Sequence, residues 1–250
     1  MISRNFLSGN EAIARGAWEA GVHVAAGYPG TPSTEIIENL ALYDDVDVEW
    51  STPENVAFDV CYGASIAGAR TLVAVKHVGL NVALDSLMVT PFSGVHGGFV
   101  IVSADDPGMH SSQNEQDNRY LAKFAKIPML EPSNSQECKD FVKIALDMSE
   151  RFDVPVLLRT TTRISHTKSV VTFDEPKREP PKPYKKDPGK YVVPIYGKRR
   201  RPNVEERVKG LEEFASTFVH NRMEWRERGI GIVTSGISYQ YAMEVFPDAS

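Results

Sequence analysis

Short apolar runs alternate with stretches of helical periodicity through the first 170 residues, and each helical stretch opens on its own start signal. Ser8-Gly-Asn-Glu11 reads as a capping box, in which a serine hydroxyl and a glutamate carboxylate satisfy backbone N–H groups reciprocally. Ile13, Ala14, Ala17 and Trp18 then recur at helical spacing until Gly21 stops the helix. Residues 22–26 form a short apolar run suited to a strand buried on both faces. Thr31-Pro32-Ser33-Thr34-Glu35 predicts the next helix, with Thr31 as cap and Pro32 in the first helical position. Strand-like 46–50 precedes Thr52-Pro53-Glu54, which repeats that opening ahead of a small-residue helix ending near Ala69. Residues 72–75, 98–102, 129–130 and 154–158 supply further strands, and Ser133 with Gln136 marks a second capping box for a helix reaching Arg151.

Six strands alternating with helices specify a parallel α/β sheet with helices on both faces. Right-handed crossovers bring every strand-to-helix loop to one edge, the carboxyl edge, where such sheets bind ligands. Gly27-Tyr28-Pro29-Gly30-Thr31-Pro32, Ser51-Thr52-Pro53-Glu54, Lys76-His77-Val78-Gly79-Leu80-Asn81 and the long run from Asp105 to Asp117 should therefore meet, with Arg159 and three threonines after the last strand. Each of these residues also has a plainer role. A first-turn acid such as Glu54 gains about 0.3–1 kcal/mol from the helix dipole alone. Thr31 is an ordinary cap, His77 an ordinary buried histidine, and Asp105-Asp106-Pro107-Gly108 an ordinary turn as well as a carboxylate pair. His110 and Ser111 have no third member at triad spacing, and Cys61 sits mid-helix among apolar neighbours.

Several chemistries are excluded. The chain has no Gly-Lys-Ser/Thr phosphate loop and no Gly-x-Gly-x-x-Gly after the first strand, so NAD and ATP are not bound by those routes. Two cysteines without a Cys-x-x-Cys cannot ligate an iron–sulfur cluster in the ferredoxin manner or build a disulfide framework. A reducing cytoplasm is the expected compartment. No apolar signal core opens the chain and no run approaches a membrane span, so no membrane partner is expected. The 42% hydrophobic content suits a packed core. Net charge is −5, yet residues 174–202 hold ten Lys or Arg against four Asp or Glu, together with seven of the sixteen prolines. That proline content predicts an extended linker without regular helix, solvated and lying across an acidic surface. The run Lys198-Arg199-Arg200-Arg201 has no aromatic residue interleaved, and in an acidic chain it is not expected to bind nucleic acid.

Four blocks carry a family resemblance: residues 9–16, residues 27–33, residues 76–83, and residues 104–108 together with 110–117. They closely resemble the alpha-subunit family of indolepyruvate ferredoxin oxidoreductases over most of 5–175, and residues 230–241 resemble the opening strand and helix of that subunit's second domain. The resemblance implies a pyrimidine-binding domain of thiamine diphosphate enzymes. The implied activity converts an aryl 2-oxo acid, coenzyme A and oxidised ferredoxin to an aryl-acetyl-CoA, carbon dioxide and reduced ferredoxin. Glu54 falls where those enzymes carry the glutamate that hydrogen-bonds N1′ of the aminopyrimidine. Gly30, Gly79, Leu80 and Asn81 fall beside the cofactor, the last three in a loop passing the pyrimidine, and Thr31 where a threonine approaches the 2-oxo acid. The related pyruvate enzymes place a carboxylate-binding arginine where this chain has Asp105-Asp106, which leaves His110, Asn114 or Arg159 as candidates for that contact.

The Gly-Asp-Gly motif that holds Mg²⁺ and the diphosphate is missing, as are the cysteines for [4Fe-4S] clusters. The resemblance thus implies that diphosphate-binding and iron–sulfur domains come from the rest of a longer subunit or from another chain, alongside a beta subunit, ferredoxin and coenzyme A. The expected organisation is a pyrimidine-binding domain at 1–173, a Pro/Lys-rich linker at 174–202, a connecting helix at 203–228 and the start of a truncated second α/β domain at 229–250. Two other readings stay open: a non-catalytic structural paralogue of such a complex, and an unrelated small-molecule α/β enzyme.

Overall fold

The computed structural model describes residues 3–177, 179–191, 193–227 and 229–250. Its centre is a six-stranded, wholly parallel sheet. A separate strand, β1 (Arg4–Ser8), leads into α1 (Gly9–Glu19), and Ser8 and Glu11 close the expected capping box at 3.1 and 2.6 Å. Then follow β2 (Val24–Gly27), α2 (Thr34–Leu40), β3 (Asp47–Trp50), α3 (Glu54–Ala67), β4 (Thr71–Lys76), α4 (His77–Val82) and α5 (Leu84–Ser93). The sheet continues with β5 (Phe99–Asp105), α6 (Arg119–Ala125), β6 (Met129–Leu130), α7 (Ser135–Phe152) and β7 (Val156–Thr161). A short α8 (Thr162–His166) and β8 (Lys168–Thr172) close the domain.

Strand order is β3-β2-β4-β5-β7-β6, and all six expected strands are present. Period-two alternation decides which helices each strand meets. Leu72 and Ala74 of β4 join Ala25, Val100, Val102 and Leu158 beneath α1, α2 and α7. Val73 and Val75 join Ala26, Phe99, Ile101 and Leu157 beneath α3, α4, α5 and α6. Phe58 and Phe99 meet edge to face at 5.1 Å, both fully buried, and each such burial is worth roughly 1.5–3 kcal/mol. α1 and α7 approach so closely that a Cβ on Gly16 would collide with the Lys139 carbonyl, so only glycine fits there.

Several start signals act elsewhere than expected. Thr31 does not cap α2: the Gly30 carbonyl accepts from both the N–H and the hydroxyl of Ser33, at 2.8 and 2.7 Å, and this turn delays the helix to Thr34. Thr52 does not cap α3 either, because Pro53 holds the cap position and Glu54 is the first helical residue. Asn134, not Ser133, caps α7 by accepting from Glu137 at 2.9 Å, while Glu137 accepts from Ser133 at 2.7 Å. Gln136 is spent instead on the backbone N–H of Thr172 in β8. The pair β1–β8 itself had no local signal, since its antiparallel partners, such as Phe6 and Val170, lie far apart in sequence.

The window 174–202 departs most from expectation. After an extended stretch it forms a 3₁₀ turn at Pro188–Lys190, and then α9 (Pro194–Thr217) runs straight through Pro202, correcting both the linker's end and the connecting helix expected at 203–228. Pro202 forfeits one intrahelical hydrogen bond. Contacts to the sheet's amino edge offset that cost: Arg200 reaches Asp153 at 2.8 Å, Arg207 reaches the Pro91 carbonyl at 2.6 Å, and Val204 is buried. The acidic surface expected beneath the linker is present as Glu150 and Asp153. Beyond α9, residues 230–235 resemble no strand in this structure, and only α10 (Ile237–Val245) is regular. A strand needs a neighbour to pair with; here Ile232 and Ile230 bond only Ser250, at 2.8 and 3.0 Å. A cavity of about 790 Å³ lies between this segment and the β6–α7 junction.

Candidate active site

In the order β3-β2-β4-β5, the chain leaves β2 outward to β3 and returns to β4 on the other side, so the topological switch point lies between β2 and β4. Gly27, the last residue of β2, pairs with Ala74, so the Tyr28–Ser33 turn and Lys76 leave the sheet side by side. A Cβ built on Gly30 would stand 3.2 Å from Lys76 Cβ; the missing side chain lets the turn lie on the lysine stem. α3 packs over β2 and β4 and points its first residue, Glu54, into the same crevice.

Glu54 meets Gly79 there. A Cβ on Gly79 would lie 2.8 Å from Glu54 Oε1 and 2.9 Å from its Cγ, so the carboxylate rests against the bare α-carbon. Glu54 is half-buried, and no described residue donates a hydrogen bond to its carboxylate. A carboxylate that no described side chain or backbone group satisfies keeps its lone pairs for water or for a ligand that can donate. An aminopyrimidine with a protonated N1′ is such a donor, and the contact with Gly79 sets where the carboxylate stands; the residues fit the group. Residues 76–81 are not the loop expected: α4 begins directly at His77. Leu80 is wholly buried against α3, so its side chain serves the core, while Asn81 is exposed.

The long loop after β5 is tied to this crevice from above. Lys76 Nζ donates to the Ser111 carbonyl at 2.7 Å, His77 Nε2 to the Asn114 carbonyl at 3.1 Å, and Ser111 Oγ to the Thr31 carbonyl at 3.4 Å. Asn118, fully buried, donates to the His77 carbonyl and to Ser103 Oγ. Nothing local marked Asn118 as an anchor, because its partners come from α4 and β5. Thr31 is exposed at the crevice, as are His110 beside Gly108 and the Asn114 side chain, which accepts from Gln116.

Arg159 does not stand free to take a substrate. Its guanidinium bonds Asp105 at 2.7 Å and Glu131 more closely still, with Asp117 3.8 Å away. Burial pushes the Asp105 carboxyl up, against the opposing pull of Arg159. Asp106 goes the other way: burial alone would raise it, but hydroxyls of Ser112 and Thr162 and the N–H groups of Ser111 and His110 hold it below the usual carboxylate range. The two aspartates are loop anchors with separate partners. Among the described residues no group of three or more His, Cys, Asp or Glu is placed to hold a metal. Cys61 and Cys138 are buried on opposite faces of the sheet, and burial pushes both thiols up. Among the described residues no helix is long and apolar enough to cross a membrane.

Comparison with known proteins places these observations. The family profile described as "Pyruvate flavodoxin/ferredoxin oxidoreductase, thiamine diP-bdg" matches residues 15–215. The chain is 46% identical to the indolepyruvate oxidoreductase subunit IorA of Archaeoglobus fulgidus over 96% of its length, covering 40% of that relative. It is 32% identical to the 2-oxoglutarate synthase subunit KorA of Methanothermobacter thermautotrophicus over 70% of its length, covering 49% of that relative. The chain thus spans about 40% of the IorA relative and half of the KorA relative. Among solved structures, 2-oxoglutarate:ferredoxin oxidoreductase from Magnetococcus marinus, with 2-oxoglutarate, coenzyme A and succinyl-CoA bound, superposes with a TM-score of 0.78 at 17% identity. That match covers 98% of this chain and 51% of the other, and it shows the same fold.

Proposed function

Because this chain belongs to the thiamine diphosphate-binding family of pyruvate flavodoxin/ferredoxin oxidoreductases, we propose that it supplies the pyrimidine-binding half of an active site that oxidatively decarboxylates an aryl 2-oxo acid. The observation that carries this reading is the donor-free Glu54 carboxylate resting on Gly79. Thiamine diphosphate, when bound, supplies a nucleophilic carbon and an electron sink for decarboxylation.

Within that site Glu54 would hold the proton at N1′ of the aminopyrimidine when the cofactor is bound. Gly79 lets the carboxylate settle against its bare α-carbon, and Gly30 lets the turn carrying Thr31 close over Lys76. Thr31 orients the 2-oxo acid, with His110 and Asn114 on the loop that Ser111 ties to it. The diphosphate and its Mg²⁺, the [4Fe-4S] clusters and the beta subunit complete the site from the rest of a longer subunit or another chain. Ferredoxin takes the electrons and coenzyme A the acyl group. The aryl preference rests on the likeness to indolepyruvate oxidoreductase subunits, and two buried unpaired thiols suit the reducing cytoplasm where we place the enzyme.

The test is hydrogen–deuterium exchange at thiazolium C2 in the assembled enzyme, with Glu54 and with Glu54→Gln. Exchange should slow by roughly 10²–10⁴-fold in the variant, as for a lost acid–base group. Equal exchange rates would reduce Glu54 to a helix-end acid and sink the proposal.

A further inference from the structure

The reacting acid carries a carboxylate, and a carboxylate taken out of water requires a counter-charge. Arg159 does not provide it, since Asp105 and Glu131 already occupy its guanidinium. Arg119 is likewise closed on Asp117 at 2.7 Å, and Lys168 on Glu11 at 3.3 Å. Lys76 differs. It ends the strand beside the switch point, and no described carboxylate lies within ion-pair reach of it. Among the described residues its one partner is a backbone carbonyl, that of Ser111, which leaves two of its three N–H donors for water or a ligand.

We propose that Lys76 is the anchor for the carboxylate of the 2-oxo acid, an inference that rests on the reading of the site just given. Three contacts place it for that role. Gly30, next to Thr31, lies against the lysine stem, where a Cβ would come within 3.2 Å. Ser111, which orients the ammonium, also bonds the Thr31 carbonyl. His77, the next residue in the chain, is followed two positions later by Gly79, against which Glu54 rests. Lys76 therefore stands between the element assigned to the substrate and the element assigned to the cofactor. A lysine also suits a carboxylate that must leave as carbon dioxide. Its compact charge holds the anion without the bidentate grip of an arginine, which would stabilise the ground state as strongly as the transition state.

The competing role is structural, a staple for the loop after β5. Calorimetric titration of the assembled enzyme, with thiamine diphosphate withheld so that no chemistry occurs, separates the two. The probes are phenylpyruvate and its methyl ester. In Lys76→Gln the acid should bind roughly 10–100-fold more weakly, as expected for a lost charged hydrogen bond, while the ester binds as before. Lys76→Arg should retain most of the affinity for the acid. With the cofactor restored, Lys76→Gln should raise KM for the acid and leave C2 exchange, which needs no substrate, unchanged. Equal losses for acid and ester, or no loss for either, would overturn the assignment. Absence of C2 exchange even in the unsubstituted enzyme would instead overturn the thiamine reading, and the carboxylate anchor with it.

Discussion

The two edges of the parallel sheet differ in how completely their charges are paired. Along the amino edge, the ends of β2, β4, β5 and β7 are crossed by residues 174–207, and ion pairs tie this segment down at several points. Lys139, almost wholly buried, is enclosed by Glu19, Asp140 and Asp174 at 2.7–3.0 Å. Glu150 accepts from Arg70 and from Lys182, both at 2.9 Å. Asp153 accepts from Lys190 and Arg200 at 2.6 and 2.8 Å and also from the backbone of Val95. At the carboxyl edge, Glu54 has no donor and Lys76 no acid. Clustered, compensated charges such as those around Lys139, Glu150 and Asp153 hold the fold together, whereas open charges leave binding capacity over. The difference identifies the site without reference to any pocket; the cavity of about 790 Å³ lies elsewhere, against the C-terminal segment.

Four substitutions would break or sharpen that contrast. The largest effect should come from Glu54→Gln, which slows C2 exchange by roughly 10²–10⁴-fold. Its thermal unfolding should differ by no more than about 1 kcal/mol, the helix-dipole contribution of a first-turn acid. A large stability loss would mean that the carboxyl edge also braces the fold. Next, Gly79→Ala should push Glu54 off its position, since the new methyl would lie 2.8 Å from Oε1. Turnover should fall about a hundredfold, the scale of a 1 Å misplacement. Unchanged kcat in the assembled enzyme would show that the close contact is incidental.

At the amino edge the readout should be stability. Asp153→Ala leaves Lys190 and Arg200 without their acid, and the side chain is only about one-third exposed. Stability should drop by about 2 kcal/mol, between the surface and buried limits for ion pairs. Residues 174–202 should then be cut faster by a protease while C2 exchange stays normal. If exchange fell in step with stability, the two edges would not be independent.

The smallest effect concerns pH. Burial would raise the Glu150 carboxyl, but the hydrogen bonds and charges of Arg70 and Lys182 outweigh it and bring it down to about 2. A carboxyl depressed by folding contributes stability that is fully present above its unfolded value. That contribution is lost as pH falls toward 2. Chemical denaturation between pH 5 and pH 2 should show this loss, worth about 1 kcal/mol once solvent screening is discounted. Glu150→Gln should remove that part of the slope and leave the remaining acid sensitivity in place.

The sheet and its neighbours in the chain were readable because their signals are local. Apolar runs at 72–75 and 98–102 are buried whichever partners they find, so periodicity alone placed β4 and β5. The capping box at Ser8 and Glu11 was readable for the same reason: both partners lie within one turn. That the loops after these strands share an edge followed from the handedness of the connections.

What the sequence could not reveal depended on partners distant along the chain. Proline content argued for an extended segment up to residue 202, yet α9 passes through Pro202 because Asp153 and the Pro91 carbonyl hold Arg200 and Arg207 against it. Arg159 resembled a substrate arginine until Asp105 and Glu131, 54 and 28 residues away, proved to enclose it. Lys76 stood in a loop expected at the carboxyl edge, but nothing set it apart from the other cations, since an unpaired charge is defined by the acids absent around it. Residue type sets what a side chain can bond. Only the folded chain sets which bonds remain unmade, because desolvation and pairing act through space, and it is the unmade bonds of Glu54 and Lys76 that mark this site.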